Sequence, residues 1–213
     1  MNATDVPRPI TILIADDHPL MRSGLAAVLG DDARFRIVGQ ASNGLEAVEM
    51  FRRLRPDVTL MDVQMPEMDG VEATKAICHE TPGARIIVFT TYRGDVQARD
   101  AMHAGAKAYL LKSAIPTDLI EAIEAVWRGQ RYVPAEVARE LAEHVGDEML
   151  SRREIEVIEL IAAGNSNKRI ADVLSISEET VKNHVSHVLD KLGASDRTHA
   201  VSIAYRRGIL RSK

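Results

Sequence analysis

The sequence predicts an α/β domain on a doubly wound, five-stranded parallel sheet, followed by a small all-α domain of four helices. Three observations carry this. Five short aliphatic runs alternate with stretches of helical period as far as residue 127. From residue 149 the pattern is helical only, with a short helix, a tight turn and a longer helix in succession. The charge balance also changes sign: residues 1–148 carry 16 Lys+Arg against 23 Asp+Glu, and residues 149–213 carry 11 against 8. An acidic front and a mildly basic back suggest different partners, a polyanion being one candidate for the second.

The remaining bulk features narrow the class. The chain is 46% hydrophobic and 27% charged, and has no apolar run near the roughly 18 residues of a membrane span. Residues 1–9 lack the charged start and apolar centre of a signal peptide. The one cysteine, Cys78, excludes a disulfide framework and fits a reducing compartment, so the expected location is cytoplasmic. Cys78 itself reads as a small packed hydrophobe.

The first strand, residues 10–15, is almost wholly aliphatic, the mark of a strand buried on both faces, and it ends in Asp16 and Asp17. A helix follows with Met21, Leu25, Val28 and Leu29 inward and Gly30 as its stop. After a strand at 35–41, Asn43 and Glu46 form a capping box for a helix that buries Val48, Phe51 and Leu54. The third strand, 58–61, runs into Asp62, and a helix over 71–78 follows. Strand four, 85–89, ends in Thr90 and Thr91, and a further helix stops at Gly105. Strand five, 108–111, ends in Lys112, and the next helix buries Leu119, Ile120, Ile123, Val126 and Trp127. Residues 129–148 read as a partly helical linker, with a short helix over 135–145 presenting Val137 and Leu141.

In a doubly wound sheet, sites form beyond the carboxyl ends of the strands. Here those ends deliver Asp16/Asp17, Asp62, Thr90 and Lys112 to one rim. Carboxylates on two neighbouring strands suit a hard cation such as Mg2+, held by Asp17, Asp62 and the backbone carbonyl of Gln64, with Asp16 acting through water. Asp62 would then attack phosphorus, with Lys112 and the Thr90 hydroxyl on the transferred oxygens. Taken singly, Asp16 reads equally well as a turn or cap residue, and Tyr109 as a core aromatic.

The motifs Ile14-Ala15-Asp16-Asp17-His18, Leu60-Met61-Asp62-Val63-Gln64-Met65-Pro66 with Asp69-Gly70, Thr90, and Tyr109-Leu110-Leu111-Lys112 resemble the flavodoxin-like receiver domain of bacterial two-component response regulators, over about residues 9–128. The resemblance implies that a sensor histidine kinase phosphorylates Asp62, and that Thr90 and Tyr109 form a switch. It also implies that the receiver catalyses its own phosphorylation from small phosphodonors and its own dephosphorylation, without being an enzyme toward other substrates. Most receivers have proline after Lys112; here Ser113 stands there and proline comes at Pro116. His18 has no role in the family and reads as a loop side chain.

In the second block, Ser151 and Glu154 form a capping box for a helix with Ile155, Ile158, Ile161 and Ala162 inward, closed by Gly164. A short helix over 167–174 and a turn at 175–177 lead to a long helix over 178–192 ending at Gly193, then a last helix over 196–207. The long helix buries Val181, Val185, Val188, Leu189 and Leu192, and its other face carries Lys182, Asn183, Ser186, His187 and Lys191. Such a face suits a DNA major groove. A merely solvated face is the alternative, favoured by Glu178, Glu179 and Asp190; the first two also suit the positive end of the helix dipole.

The runs Asn165-Ser166-Asn167-Lys168-Arg169-Ile170-Ala171 and Thr180-Val181-Lys182-Asn183-His184-Val185 resemble the LuxR-type helix-turn-helix of NarL/FixJ-class response regulators, the domain spanning 149–213. The resemblance implies base reading by Lys182, Asn183 and Ser186, and phosphate contacts from Lys168, Thr180 and Lys191. Ser186 departs from members with a longer basic residue there. It further implies promoter DNA as partner and a homodimer when phosphorylated, with RNA polymerase as a further candidate partner. Ala200, Val201, Ile203 and Ala204 of the last helix serve either that dimer or packing within the domain. Two competing readings are a magnesium-dependent phosphohydrolase using Asp62 as nucleophile and a phosphorylation-independent DNA-binding regulator. Against the first, Gln64 stands where haloacid dehalogenase-type phosphatases carry a proton-donating acid.

Overall fold

The computed structural model describes residues 8–91, 95–113, 116–143 and 148–210. The chain divides into two compact units, one holding the sheet and one the last helices. Residue 145, expected in the linker helix, and residues 211–213 lie outside the described residues.

The first unit alternates β1 (Ile10–Ala15), α1 (Pro19–Gly30), β2 (Phe35–Ala41), α2 (Gly44–Leu54), β3 (Val58–Met61), α3 (Gly70–Glu80), β4 (Ile86–Thr90), α4 (Asp95–Ala104), β5 (Ala108–Leu111) and α5 (Pro116–Trp127). All strand pairs are parallel, in the order β2-β1-β3-β4-β5. The order reverses between β1 and β3, which opens a crevice beyond their carboxyl ends. Every residue of β1, β3, β4 and β5 is buried, as their unbroken aliphatic sequences require.

The two sheet faces have separate cores. Leu25 and Leu29 of α1 and Leu119, Ala122, Ile123 and Val126 of α5 pack with Ile12, Ile14 and Leu60. Ala47, Val48 and Phe51 of α2 and Ala73 and Ile77 of α3 pack with Leu13, Met61 and Ile86. Each fully buried aliphatic side chain contributes about 1.5–3 kcal/mol relative to exposure.

Some expectations of burial fail: in the first unit Val28 is 39% exposed and Trp127 36%, and Met21, Leu54 and Ile120 are only half-buried. The Asn43 box is also half of what was expected. Asn43 accepts from the Glu46 amide, but the Glu46 carboxylate reaches one residue further back, to the amide and hydroxyl of Ser42. At the opposite end of the sheet, Asp57 clamps the start of β3 to β1 by accepting from the Thr11 amide and hydroxyl and from Arg8. Burial opposes its ionisation, yet the Arg8 and Thr11 contacts prevail and hold the carboxyl at about 2. Beyond α5, Tyr132 forms a bridge with Ala108, so the chain leaving the sheet is pinned before α6 (Ala135–Glu143) begins.

The second unit contains α7 (Arg152–Ala162), α8 (Asn167–Leu174), α9 (Glu178–Leu192) and α10 (Arg197–Arg206). α9 packs on the other three. Ser151 and Glu154 make both arms of the expected capping box. Ser166, Ser177 and Asp196 cap α8, α9 and α10 through their side chains, each cap contributing about 1 kcal/mol. Gly193 ends α9 at φ +61, a left-handed conformation that a side chain would strain. Val157, not anticipated as core, is completely buried, while Val185 and Leu189 are only half-buried. Ala200, Ile203 and Ala204 lie inside this unit's core, so packing within the domain uses them.

Candidate functional site

The rim forms because β1 and β3 end side by side, Ala15 beside Met61, while β4 and β5 run on two residues to end with Thr90 beside Leu111. Asp16 follows β1 and is 1% exposed; Asp62 follows β3 and is 4% exposed. Lys112 follows β5, where its amide donates to the Thr90 carbonyl at 2.6 Å. Its ammonium lies 2.6 Å from Asp16 Oδ2 and 2.8 Å from Asp62 Oδ2. Thr90, at the end of β4, and Tyr109, within β5, are fully buried. Asp17 is half-buried, and the Gln64 backbone amide hydrogen-bonds the Asp62 carboxylate.

Glycine is required beside Asp62. Gly70 opens α3 with its amide donating to the Val63 carbonyl, and a Cβ there would lie 1.8 Å from the Asp62 carbonyl oxygen. Asp69 caps the same helix by accepting from the Val71 and Glu72 amides. The loop after β3 is thus held from both sides.

Buried charge makes the rim's electrostatics strong. Burial raises the Asp62 carboxyl above its ordinary value; Lys112 pulls the other way, and the Asp16 charge adds to the rise. Burial alone would lower the Lys112 ammonium, but its hydrogen bonds to Asp16 and Asp62, reinforced by their charges, hold it raised. Asp16, Asp17 and Asp62 bring three carboxylates to the one Lys112 ammonium, an acidic excess that suits a divalent cation. Asp16, Asp17, His18 and Asp62 each place a potential ligand atom within 4.8 Å of the others. Opposite ligands of an octahedral magnesium stand about 4.2 Å apart, so the donor set fits after small shifts.

In the second unit, Lys168, Lys182, Asn183, Ser186 and His187 are exposed, and Thr180 is half-buried with its hydroxyl 2.8 Å from that of the Ser177 cap. Lys182 reaches Glu179 at 3.4 Å. Lys191 is placed differently. Its ammonium donates to the buried Glu154 carboxylate at 2.9 Å and to the Met149 carbonyl at 3.2 Å, tying α9 to the start of α7. Sequence reasoning saw Glu154 only as a cap; a cationic partner so far along the chain gives no local signal.

A doubly wound sheet with an Asp–Asp–Lys rim, joined to a helix-turn-helix unit, defines a regulator that couples a receiver to a DNA-binding domain. The chain matches the response regulator receiver domain over residues 12–124 and the bacterial regulatory proteins of the luxR family over residues 148–204. It belongs to the two-component response regulators that carry a LuxR-type DNA-binding domain. The transcriptional regulatory protein LiaR of Bacillus subtilis (strain 168) is 40% identical over 209 residues, covering 94% of this chain and 99% of that protein. The response regulator protein VraR of Staphylococcus aureus (strain NCTC 8325 / PS 47) is 35% identical over 206 residues, covering 94% and 99%. Among solved structures, the response regulator ChrA of a heme-sensing two-component system has 35% identity and a TM-score of 0.58, covering 95% of this chain and 100% of that one. RcsB from Salmonella enterica serovar Typhimurium, bound to promoter P1flhDC in the presence of the phosphomimetic BeF3-, has 28% identity and a TM-score of 0.70, covering 91% and 97%.

Among the described residues, no helix is long and apolar enough to cross a membrane.

Proposed function

We propose that Asp62 is the phosphoryl acceptor and that its phosphorylation, by a sensor histidine kinase, controls promoter binding by α9. The observation that carries this reading is the Lys112 ammonium held against the buried Asp62 and Asp16 carboxylates. An Asp62 carboxylate oxygen attacks the donor's phosphorus; the new P–O bond forms as the donor's bond to phosphorus breaks, and its electron pair leaves with the donor. Lys112 stays beside the transferred oxygens and offsets their charge, and Thr90 supplies a hydroxyl. Asp16, Asp17, Asp62 and the Gln64 carbonyl are the proposed holders of Mg2+. Bound there, Mg2+ would supply positive charge to the incoming phosphoryl oxygens. Thr90 and the buried Tyr109 are the proposed switch.

The domains are proposed as a receiver over 9–128, a partly helical linker over 129–148 and a DNA-binding domain over 149–213, acting in the cytoplasm. Lys182, Asn183 and Ser186 are assigned to bases, with Lys168 and Thr180 on phosphates and His187 beside them. Lys191 joins them at a phosphate only by loosening its hold on Glu154. Dimerisation on two half-sites adds avidity to a weakly charged module. Intact-mass measurement after incubation with acetyl phosphate and Mg2+ tests the first step. One added phosphoryl group is expected on the native chain and none on Asp62→Asn; equal labelling of both overturns the assignment.

A further inference from the structure

The geometry points to His18 as a nitrogen ligand of the rim, giving the site a second binding mode for borderline transition-metal dications such as Co2+, Ni2+ or Zn2+. The inference rests on the proposed metal role of Asp16, Asp17 and Asp62.

His18 occupies the N-cap position of α1, yet its side chain makes no cap hydrogen bond. Its backbone amide instead donates to Asp16 Oδ1 at 2.8 Å, which fixes residue 18 against the first carboxylate of the rim. The imidazole turns the same way: Nδ1 lies 2.7 Å from Asp17 Oδ1 and 3.5 Å from Asp16 Oδ1. Its ligand atom falls within the same 4.8 Å group as those of the three aspartates.

Donor chemistry separates the two modes. Magnesium takes oxygen ligands and gains nothing from an imidazole, so the carboxylates serve it alone. Imidazole suits zinc, nickel and their neighbours, whose affinity for nitrogen sites rises along the first row from manganese to copper. The His18 side chain is 72% exposed, so it can stay in solvent in one mode and turn onto the ion in the other. Three carboxylates and one imidazole make a mixed set that discriminates by the metal's softness.

Isothermal titration of the full chain with MgCl2 and with CoCl2 at one fixed pH tests this, on the native protein, His18→Ala and Asp17→Asn. His18→Ala is expected to weaken Co2+ binding about tenfold or more while Mg2+ affinity changes less than about twofold. Proton NMR of the Co2+ form should show a strongly shifted exchangeable imidazole resonance that His18→Ala removes. Equal effects on both metals, or a shifted imidazole resonance that persists in His18→Ala, overturn the inference while leaving the magnesium reading intact. If neither metal binds, or binding survives Asp17→Asn unchanged, both fall.

Discussion

The rim of the sheet and the outer face of α9 both present charged side chains, but they are built on opposite terms. At the rim, the Lys112 side chain is 6% exposed and locked between two carboxylates that reach it from different strands. On α9, the Lys182 side chain is 56% exposed, with Glu179, one turn back on the same helix, beside it. A charge buried at the rim has a large desolvation cost, so each member there depends on the others. A charge on the open helix face costs almost nothing and contributes almost nothing until a polyanion arrives. Lys191 is intermediate, its side chain 22% exposed, on the same helix but paired with a buried acid. Position on a helix face therefore does not decide role; the partner does.

The sharpest way to break the contrast is at Gly70. Gly70→Ala places a methyl against the Asp62 carbonyl and should destabilise the first unit by more than about 4 kcal/mol, read by urea unfolding; a change under about 1 kcal/mol would mean the loop after β3 yields freely. Next is Lys112→Ala, which leaves Asp16 and Asp62 facing each other without their cation. A loss of about 3 kcal/mol is expected, whereas a neutral result would place the rim among solvated surface pairs.

In the second unit, Glu154→Gln should cost about 1 kcal/mol through the lost Lys191 and capping contacts. It should also flatten the acid limb of that unit's stability. Burial opposes ionisation of Glu154, but its bonds from Ser151 and Lys191 prevail and lower its pKa. Its stabilisation is therefore complete above the unfolded pKa of about 4.3 and fades as pH falls through the lower folded value. An unchanged pH profile in Glu154→Gln would contradict this. The smallest effect belongs to Lys182→Ala, whose stability should stay within about 0.5 kcal/mol of the native chain. Its DNA affinity should fall, with the slope of log affinity against log salt reduced by roughly one if Lys182 meets a phosphate as well as a base.

Much of the rim was legible because burial leaves a mark in sequence. Unbroken runs such as 10–15 and 108–111 announce strands covered on both faces, and a polar residue ending each run stands out. His18 lacked such a mark, since an imidazole in a loop reads as solvent-facing until its neighbours are placed. Helix faces were less legible. Val28 and Trp127 sit at the margin of an apolar stripe, and periodicity cannot say where the neighbouring element ends. The Glu154–Lys191 pair and the reach of Glu46 to Ser42 belong to tertiary packing and to one rotamer, neither of which spacing encodes.

The central claim is that the buried rim controls the open face. It is tested most directly by the dissociation constant for a two-half-site DNA selected from a random pool, measured with and without acetyl phosphate and Mg2+. The native chain should bind roughly tenfold tighter when phosphorylated, about 1.4 kcal/mol of coupling, and Asp62→Asn should not respond. Equal affinity of the two native forms, or the same gain in Asp62→Asn, would contradict it.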